Sequence, residues 1–250
     1  MAINTDKNSY TIIFAIIMVV VVGSILAFAA EGLKSNINEN KRIEKQQNIL
    51  YALGINENEE GSVNFISKKK VAEAFSTIIT KQIIIQGDEV NEDPEAYLLD
   101  LKKEHANAKD PSHKRRLPLF ISEIDGETYY VAPILGKGLW DAIWGFVAMD
   151  KNMVVKGVFF DHKGETPGLG ANINQRFFMD DFSGEHLYDA SGSFAGIKVA
   201  KGNGDPKNEN KTDNKVDAIA GSTITGNGVT AMIKDELKLY IPYFKTLKNN

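Results

Sequence analysis

The sequence contains no cysteine among its 250 residues. This absence excludes disulfide bonds, thiolate zinc sites, cysteine-ligated iron–sulfur clusters and cysteine nucleophiles. Histidine is scarce, and the four histidines show no close paired spacing, so we expect no metal site. Any redox chemistry would therefore need an organic cofactor, or a haem held without thiolates.

The sequence also lacks a strong charge imbalance. Its formal net charge is -4 at pH 7, the two signs are well mixed, and no basic stripe is visible. We therefore expect no nucleic-acid partner. The hydrophobic content of 43% and the charged content of 25% are typical of globular proteins. The length allows one sizeable domain or two small ones.

Charge is completely absent from residues 10–30, which are almost entirely apolar. At about 1.5 Å per helical residue, such a segment crosses a hydrocarbon core of about 30 Å. We predict a transmembrane helix over residues 10–30, preceded by a short cytoplasmic N-terminus over residues 1–9. The alternative is a cleaved signal peptide ending near Ala27-Phe28-Ala29. The apolar run is longer than the apolar core of a usual signal peptide, and only Lys7 marks a basic region before it, which favours a retained anchor.

Basic residues around this segment predict an orientation. Lys34, Lys41, Arg42 and Lys45 follow it, whereas only Lys7 precedes it. Positive charge flanking a span is typical of the cytoplasmic side. Counted in this way, the large domain would lie in the cytoplasm.

The segment after the span predicts a helical stalk over residues 31–54, ended by Gly54. The folded domain would then occupy residues 55–250. Two hairpins are indicated by turn residues between apolar strands. Their predicted strands are residues 117–123 with 128–134, around Asp125-Gly126, and residues 144–149 with 154–160, around Lys151-Asn152.

Helices accompany these strands in the predicted fold. We expect a helix running into a strand over residues 68–84, a short helix over 95–104 and a final amphipathic helix over about 228–244. Residues 197–200 and 216–220 are predicted to form two short strands. The fold class is therefore α+β, with an antiparallel sheet and peripheral helices.

Three glycine-rich segments, residues 136–140, 164–170 and 217–228, carry the candidate chemistry. In the third, small residues and hydroxyls precede the last predicted helix, where unpaired N–H groups favour an anion such as phosphate. The alternative for this segment is a simple turn with Thr225 or Asn227 as a helix N-cap.

The other two segments have competing interpretations of the same kind. Pro167-Gly168 is typical of the centre of a type II turn, from which Leu169 would project. Glu165 and Thr166 could hydrogen-bond a polar heterocycle, or the segment could be a plain surface turn. Trp140, four residues before Trp144, could pack in the core or stack on a ring.

Taken together, the three segments resemble FMN-binding domains of bacterial respiratory complexes. The shared residues are Gly138-Leu139-Trp140, residues 165–170, and the pattern Asp217, Gly221 and Thr223. With its single N-terminal span, the chain resembles the C subunits of the Na+-translocating NADH:quinone reductases over nearly its whole length. The resemblance implies an electron carrier that works with the other members of a complex of six subunits and is not active alone.

In this family a flavin transferase joins the phosphate of FMN to a threonine hydroxyl. The transferase motif is Asp, two variable residues, Ser or Thr, Gly, Ala, then the modified Thr or Ser. Thr223 is the implied attachment point, while Ala220 and Ser222 depart from the motif. Thr225 and Ser222 remain alternative attachment points.

The resemblance also implies the other flavin contacts and the location. Leu139, Trp140, Leu169 and Gly170 would lie near the ring, and Glu165 with Thr166 at its polar edge. The wider set of implied cofactor-binding residues adds Gly138, Gly168, Gly221, Ser222 and Thr225; no catalytic acid, base or nucleophile is implied. Because the transferase acts outside the cytoplasm, the resemblance implies an inner-membrane protein, anchored in lipid, whose large domain is periplasmic. This overrules the charge count.

Two other functions remain open. One is that of the paralogous flavoprotein in the ferredoxin:NAD+ oxidoreductase complex, which is usually more compact between the span and the sheet. The long segment from Gly54 to Arg116 favours the sodium pump family. The other is an anchored FMN-binding module without a respiratory role.

Overall fold

In the computed structural model, residues 7–202 and 204–248 are described, and the chain divides into two compact units, residues 1–42 and 43–250. Helix α1, Asn8–Ala52, begins in the first unit and ends in the second. Its first part exposes a continuous apolar surface, from Ile12 to Phe28. Among the described residues, this is the helix long and apolar enough to cross a membrane.

The last turns of α1 belong to the folded unit. Ile49 and Leu50 are fully buried, and the Gln47 side chain donates a hydrogen bond to the Ile66 carbonyl at 2.6 Å. The helix ends just before Gly54, whose φ of 84° is a left-handed conformation that favours glycine. Residues 31–52 are one uninterrupted part of α1, so the segment predicted as a stalk continues the same helix.

A six-stranded antiparallel sheet forms the centre of the folded unit, in the order β2-β1-β3-β4-β5-β6. Both predicted hairpins are present, and Asp125 and Gly126 turn the first one with positive φ angles. The predicted α+β class is therefore confirmed. The strands are β1 Ile79–Gln86, β2 Glu89–Glu92, β3 Leu117–Ile124, β4 Glu127–Lys137, β5 Ala142–Met149 and β6 Val155–His162. A separate parallel pair is formed by β7 Lys198–Ala200 and β8 Lys215–Asp217.

The final helix differs from its prediction. Helix α5 begins at Thr223, five residues earlier than expected, and ends at Leu237; a short 3-10 turn then leads into α6, Ile241–Lys248. Glycine inside a helix is less favourable than alanine by about 1 kcal/mol of stability. Gly226 and Gly228 therefore argued against a helix in this segment, and its start was predicted too late. The other helices are α2 Val71–Ile78, α3 Leu101–Asn107 and α4 Arg176–Met179. Short 3-10 turns on either side of α4 were not predicted.

Helix α5 packs across β4 and β7. Val229, Met232 and Ile233 are buried on its inner side, and Met232 lies against Gly136 of β4. Close helix–sheet packing through a glycine places the first turn of α5 beside the end of β4. This contact positions the candidate site.

The polar loop between β7 and β8 is fastened by a buried pair. Asn208, with a left-handed φ of 44°, donates its side-chain N–H to Glu185 Oε1 at 2.8 Å. Glu185 is fully buried, and its second oxygen, Oε2, has no hydrogen-bond partner among the described residues. Burial raises the pKa of Glu185 to about 7, although the Asn208 hydrogen bond and the charge of Lys211 oppose the rise.

Candidate functional site

Three segments that are distant in sequence form one small cleft. They are the connection from β4 to β5, the loop after β6, and the start of α5. The cleft has a volume of about 240 Å³. Its lining residues are Leu139, Glu165, Thr166, Leu169, Gly170, Gly221, Ser222, Thr223, Ile224 and Thr225.

Thr223 differs from its neighbouring hydroxyls in exposure. It is the first residue of α5 and its side chain is exposed, whereas Ser222 and Thr225 are buried, at 6% and 2% exposure. The Thr225 hydroxyl donates to Glu165 Oε2 at 2.6 Å, so it is already engaged. Of the three candidate residues, Thr223 is the exposed one in the lining of the cleft.

The N-terminus of α5 has no side-chain cap. Ser222 occupies the N-cap position without a capping hydrogen bond. The first helical hydrogen bond runs from Gly226 N to Ser222 O at 2.9 Å. The preceding N–H groups, those of residues 223–225, are therefore available, and they carry the partial positive charge of the helix end. Such an end suits an anion.

The loop after β6 has the predicted turn. Leu169 N donates to Thr166 O at 3.1 Å around Pro167 and Gly168, and Gly168 has a φ of 77°. Leu169 remains 41% exposed. A side chain at Gly221 would approach Leu169 Cδ2 to 2.9 Å, so this loop closely abuts the segment before α5.

Trp140 is not a core residue, and the core-packing interpretation was wrong for it. Its side chain is 67% exposed, and its indole N–H donates to Thr166 Oγ1 at 3.2 Å. Trp144 lies half-buried on β5, so the two tryptophans do not share a helix face. The spacing of four residues was misleading because the segment is a strand and its preceding bend.

Glu165 is buried, with 4% exposure, at the back of the cleft. Its Oε1 accepts from Trp140 N at 2.9 Å, and its Oε2 accepts from Thr225. Burial alone would raise its pKa, but the hydrogen bonds from Thr225 and the main chain at Trp140 hold the pKa below its ordinary value. The carboxylate is therefore an anion held by protein donors.

Two predicted glycines provide the space for this carboxylate. A Cβ added at Gly138 would lie 2.5 Å from Glu165 Oε1, and one at Gly170 would lie 2.5 Å from Glu165 Oε2. Contacts this close are forbidden to real side chains. Glycine is therefore required at both positions because a side chain there would collide with the carboxylate of Glu165.

Most of the residues singled out from the sequence meet in this cleft. Three of them, Gly138, Trp140 and Gly168, are not in its lining but lie next to it. Gly138 leaves space for Glu165, Trp140 donates a hydrogen bond to Thr166, and Gly168 forms the loop turn. Sequence reasoning missed Ile224, which lines the cleft with 57% of its side chain exposed. An apolar residue between two threonines at a helix start was the available signal.

Comparison with known proteins shows that the region containing the cleft matches a known domain family. Residues 138–238, which contain every predicted site residue, match the FMN-binding domain family. The chain is 30% identical to the C subunit of the Na(+)-translocating NADH-quinone reductase of Pseudomonas aeruginosa, covering 92% of this chain and 91% of that protein. It is 31% identical to the C subunit of the same enzyme from Yersinia pestis, covering 90% and 87%.

A solved structure extends the similarity to the fold. The crystal structure of the corresponding C subunit from Parabacteroides distasonis superposes with a TM-score of 0.70 at 29% identity, covering 85% of this chain and 96% of that one. The chain thus has an apolar N-terminal helix, an antiparallel sheet and a cleft formed by the three glycine-rich segments. The chain belongs to the family of C subunits of the Na+-translocating NADH-quinone reductases.

Proposed function

We propose that this chain is the flavin-bearing electron carrier of a Na+-translocating NADH:quinone reductase, and that its FMN is esterified through phosphate to Thr223. Support for a flavin carrier comes from the family and from the FMN-binding domain match. The observation that carries the attachment site is that Thr223 is an exposed residue at an uncapped helix end, whereas Ser222 and Thr225 are buried.

The residues at the start of α5 fit an esterified phosphate. Thr223 would provide the ester oxygen, and the available N–H groups of the first turn would donate to the remaining phosphate oxygens. A phosphodiester keeps one negative charge, which the helix end stabilises. Ala220 and Ser222, which differ from the residues of the transferase motif, do not obstruct Thr223. Ala220 is exposed, and the Ser222 hydroxyl points towards the Ala220 carbonyl.

The cleft is too small to enclose a whole flavin. Its 240 Å³ lies below the range of about 300–1,000 Å³ typical of small-molecule pockets. The ring would therefore be covered on part of its surface by Leu139, Trp140 and Leu169, all of which are exposed. FMN supplies reversible electron transfer, and the protein supplies position and electrostatic environment. An open ring edge suits exchange with another redox centre.

The membrane arrangement is part of the proposal. We assign residues 1–9 to the cytoplasm, 10–30 to the span, 31–54 to the stalk and 55–250 to a periplasmic domain of an inner-membrane protein. The apolar helix and the family support a single-pass membrane anchor. We also propose that an extracytoplasmic flavin transferase attaches the FMN. In the same way, we propose that the chain assembles with the other five subunits and contacts lipid. One uncharged span cannot form a sodium path, so the ion would cross elsewhere.

The attachment is tested by coexpressing the full chain with a flavin transferase. Intact mass and in-gel fluorescence after denaturation should show one FMN per chain. Thr223→Ala should abolish both signals, because the ester oxygen is gone, while Thr223→Ser should retain them. Thr212→Ala, which removes an exposed threonine hydroxyl away from the cleft, is the matched control and should stay fluorescent. A fluorescent Thr223→Ala protein would refute the assignment.

A further inference from the structure

Glu165 joins the three segments of the cleft. It lies in the loop after β6, it accepts from the main chain of Trp140, and it accepts from Thr225, 60 residues further along the chain. Its own main-chain N–H donates to His162 Nδ1 at 3.2 Å, which restrains the backbone at this point. Each of the other two segments is thus tied to the cleft through one carboxylate.

We propose that Glu165 is a positioning residue for the flavin, acting through Thr225 and the main chain of Trp140. In this role it fixes the first turn of α5 against the loop that carries Leu139 and Trp140. Its negative charge also lowers the flavin's reduction potential. This inference rests on the proposed function, and it replaces the expected direct contact between Glu165 and the flavin edge.

Thr225, the partner of Glu165, lies in the same helical turn as Thr223. Thr225 is the third residue of α5, two positions after the proposed attachment point. Its hydroxyl is buried and held at 2.6 Å by Glu165. A hydrogen bond to a charged group is stronger than one between neutral groups. The orientation of the first turn, and with it the Thr223 hydroxyl, therefore depends on a residue of the loop after β6.

The geometry also argues against direct contact with a ligand. Oε1 faces Trp140 N and Gly138, and Oε2 faces Thr225 and Gly170. Both oxygens are thus used inside the protein. The side chain is 4% exposed, which leaves little surface for a flavin atom.

The negative charge of Glu165 has an effect on the flavin separate from its hydrogen bonds. A buried anion interacts strongly across a low-dielectric interior, and it opposes the addition of electrons to a nearby flavin. Removing the charge while keeping the shape should raise the reduction potential. Removing the hydrogen bond while keeping the charge should instead impair positioning. The two effects can be separated by two isosteric substitutions.

Glu165→Gln removes the charge and can keep both contacts: its amide oxygen accepts from Trp140 N and its amide nitrogen donates to Thr225 Oγ1. We expect this variant of the full-length protein, coexpressed with a flavin transferase, to carry FMN and to show a more positive midpoint potential. His162→Gln, at the neighbouring main-chain contact, is the control and should shift the potential less. An unchanged potential in Glu165→Gln would overturn the electrostatic part of the proposal.

Thr225→Val keeps shape and charge but loses the hydrogen bond. We expect FMN incorporation to slow by about tenfold or more, which is the scale expected from losing a hydrogen bond to a charged group. Thr225→Ser should restore the rate. Wild-type incorporation in a folded Thr225→Val protein would overturn the positioning role. If that variant does not fold, Thr225→Ala tests the same loss with a smaller side chain.

The parallel Thr223→Ala variant separates the two proposals. Loss of FMN in Thr223→Ala together with normal incorporation in Thr225→Val would refute the positioning role alone. Retention of FMN in Thr223→Ala with complete loss in Thr225→Val would move the attachment to Thr225, and would refute the proposed site. Peptide mapping of the flavin-bearing residue distinguishes these outcomes directly.

Discussion

Gly228 of helix α5 lies directly against the main-chain carbonyl oxygen of Lys137, at the end of strand β4. A Cβ at this position would overlap that oxygen. Helix and strand therefore touch backbone to backbone, five residues beyond Thr223. This contact sets how closely the start of α5 approaches the segment that carries Leu139.

Gly228→Ala should therefore destabilise the protein. Alanine would gain up to about 1 kcal/mol of helix propensity, but a fixed backbone oxygen cannot move aside cheaply. Overpacking of this kind costs about 1–3 kcal/mol, so we expect a net loss in the free energy of unfolding. Denaturant unfolding measures it.

The matched control for this prediction is Gly164→Ala. A Cβ at Gly164 meets no atom within 4 Å, and its φ is not positive, so alanine should be tolerated. Gly226→Ala should fall between the two, since its Cβ would approach the Val199 side chain to 3.0 Å. Equal stability of the Gly228 and Gly164 variants would contradict the backbone contact.

Trp140 should report on flavin attachment. The protein has two tryptophans, and Trp140 is exposed whereas Trp144 is half-buried. In flavin-free protein, iodide should quench the fluorescence of Trp140 more strongly than that of Trp144. The Trp144→Phe variant reports on Trp140, and the Trp140→Phe variant reports on Trp144. Attached FMN should protect Trp140 from iodide, because the ring would cover it. Equal quenching of Trp140 with and without flavin would place the ring elsewhere.

Glu185 should make stability depend on pH. Its pKa is raised to about 7 in the folded protein, above the value of about 4.3 in an unfolded chain. Between these values the folded state binds more protons, so stability should fall as pH rises from about 4.5 towards 7 and then level off. Each pKa unit corresponds to about 1.4 kcal/mol, which makes the total a few kcal/mol at most.

Glu185→Gln should remove much of this dependence. Glutamine stays neutral and can still accept the Asn208 hydrogen bond, so the variant should be more stable than wild type at pH 8 and similar to it at pH 5. Melting temperatures at both values provide the measurement. Glu123→Gln, on an exposed position of β3, is the control and should leave the pH profile unchanged. A parallel shift of Glu185→Gln at both pH values would argue against titration of this carboxyl.

The hairpins and the apolar helix were predictable because their signals are local. Asp125-Gly126 supplies the positive φ angles that the turn requires, and a charge-free segment is readable by inspection. The start of α5 was not readable in this way. Gly226 and Gly228 are poor helix formers, and they occur there because α5 must touch Val199 and Lys137. Tertiary packing overrode local propensity.

The candidate site was predictable in its membership more than in its roles. The three segments were singled out because their glycines and hydroxyls resembled a known pattern. The engagement of Glu165 by Thr225 could not be foreseen, since no sequence periodicity links residues 60 positions apart. The spacing between Trp140 and Trp144 did not indicate the exposure of Trp140, because a spacing of four residues has no packing meaning outside a helix.

The contrast in exposure between Thr223 and the hydroxyls on either side has a consequence for biogenesis. In an unfolded chain Ser222, Thr223 and Thr225 would be three similar alcohols within four positions. In the native fold two of them, Ser222 and Thr225, are buried. Selection of one alcohol by a modifying enzyme would then occur after the domain has closed. Attached cofactor would serve as a record that this part of the chain had reached its native state.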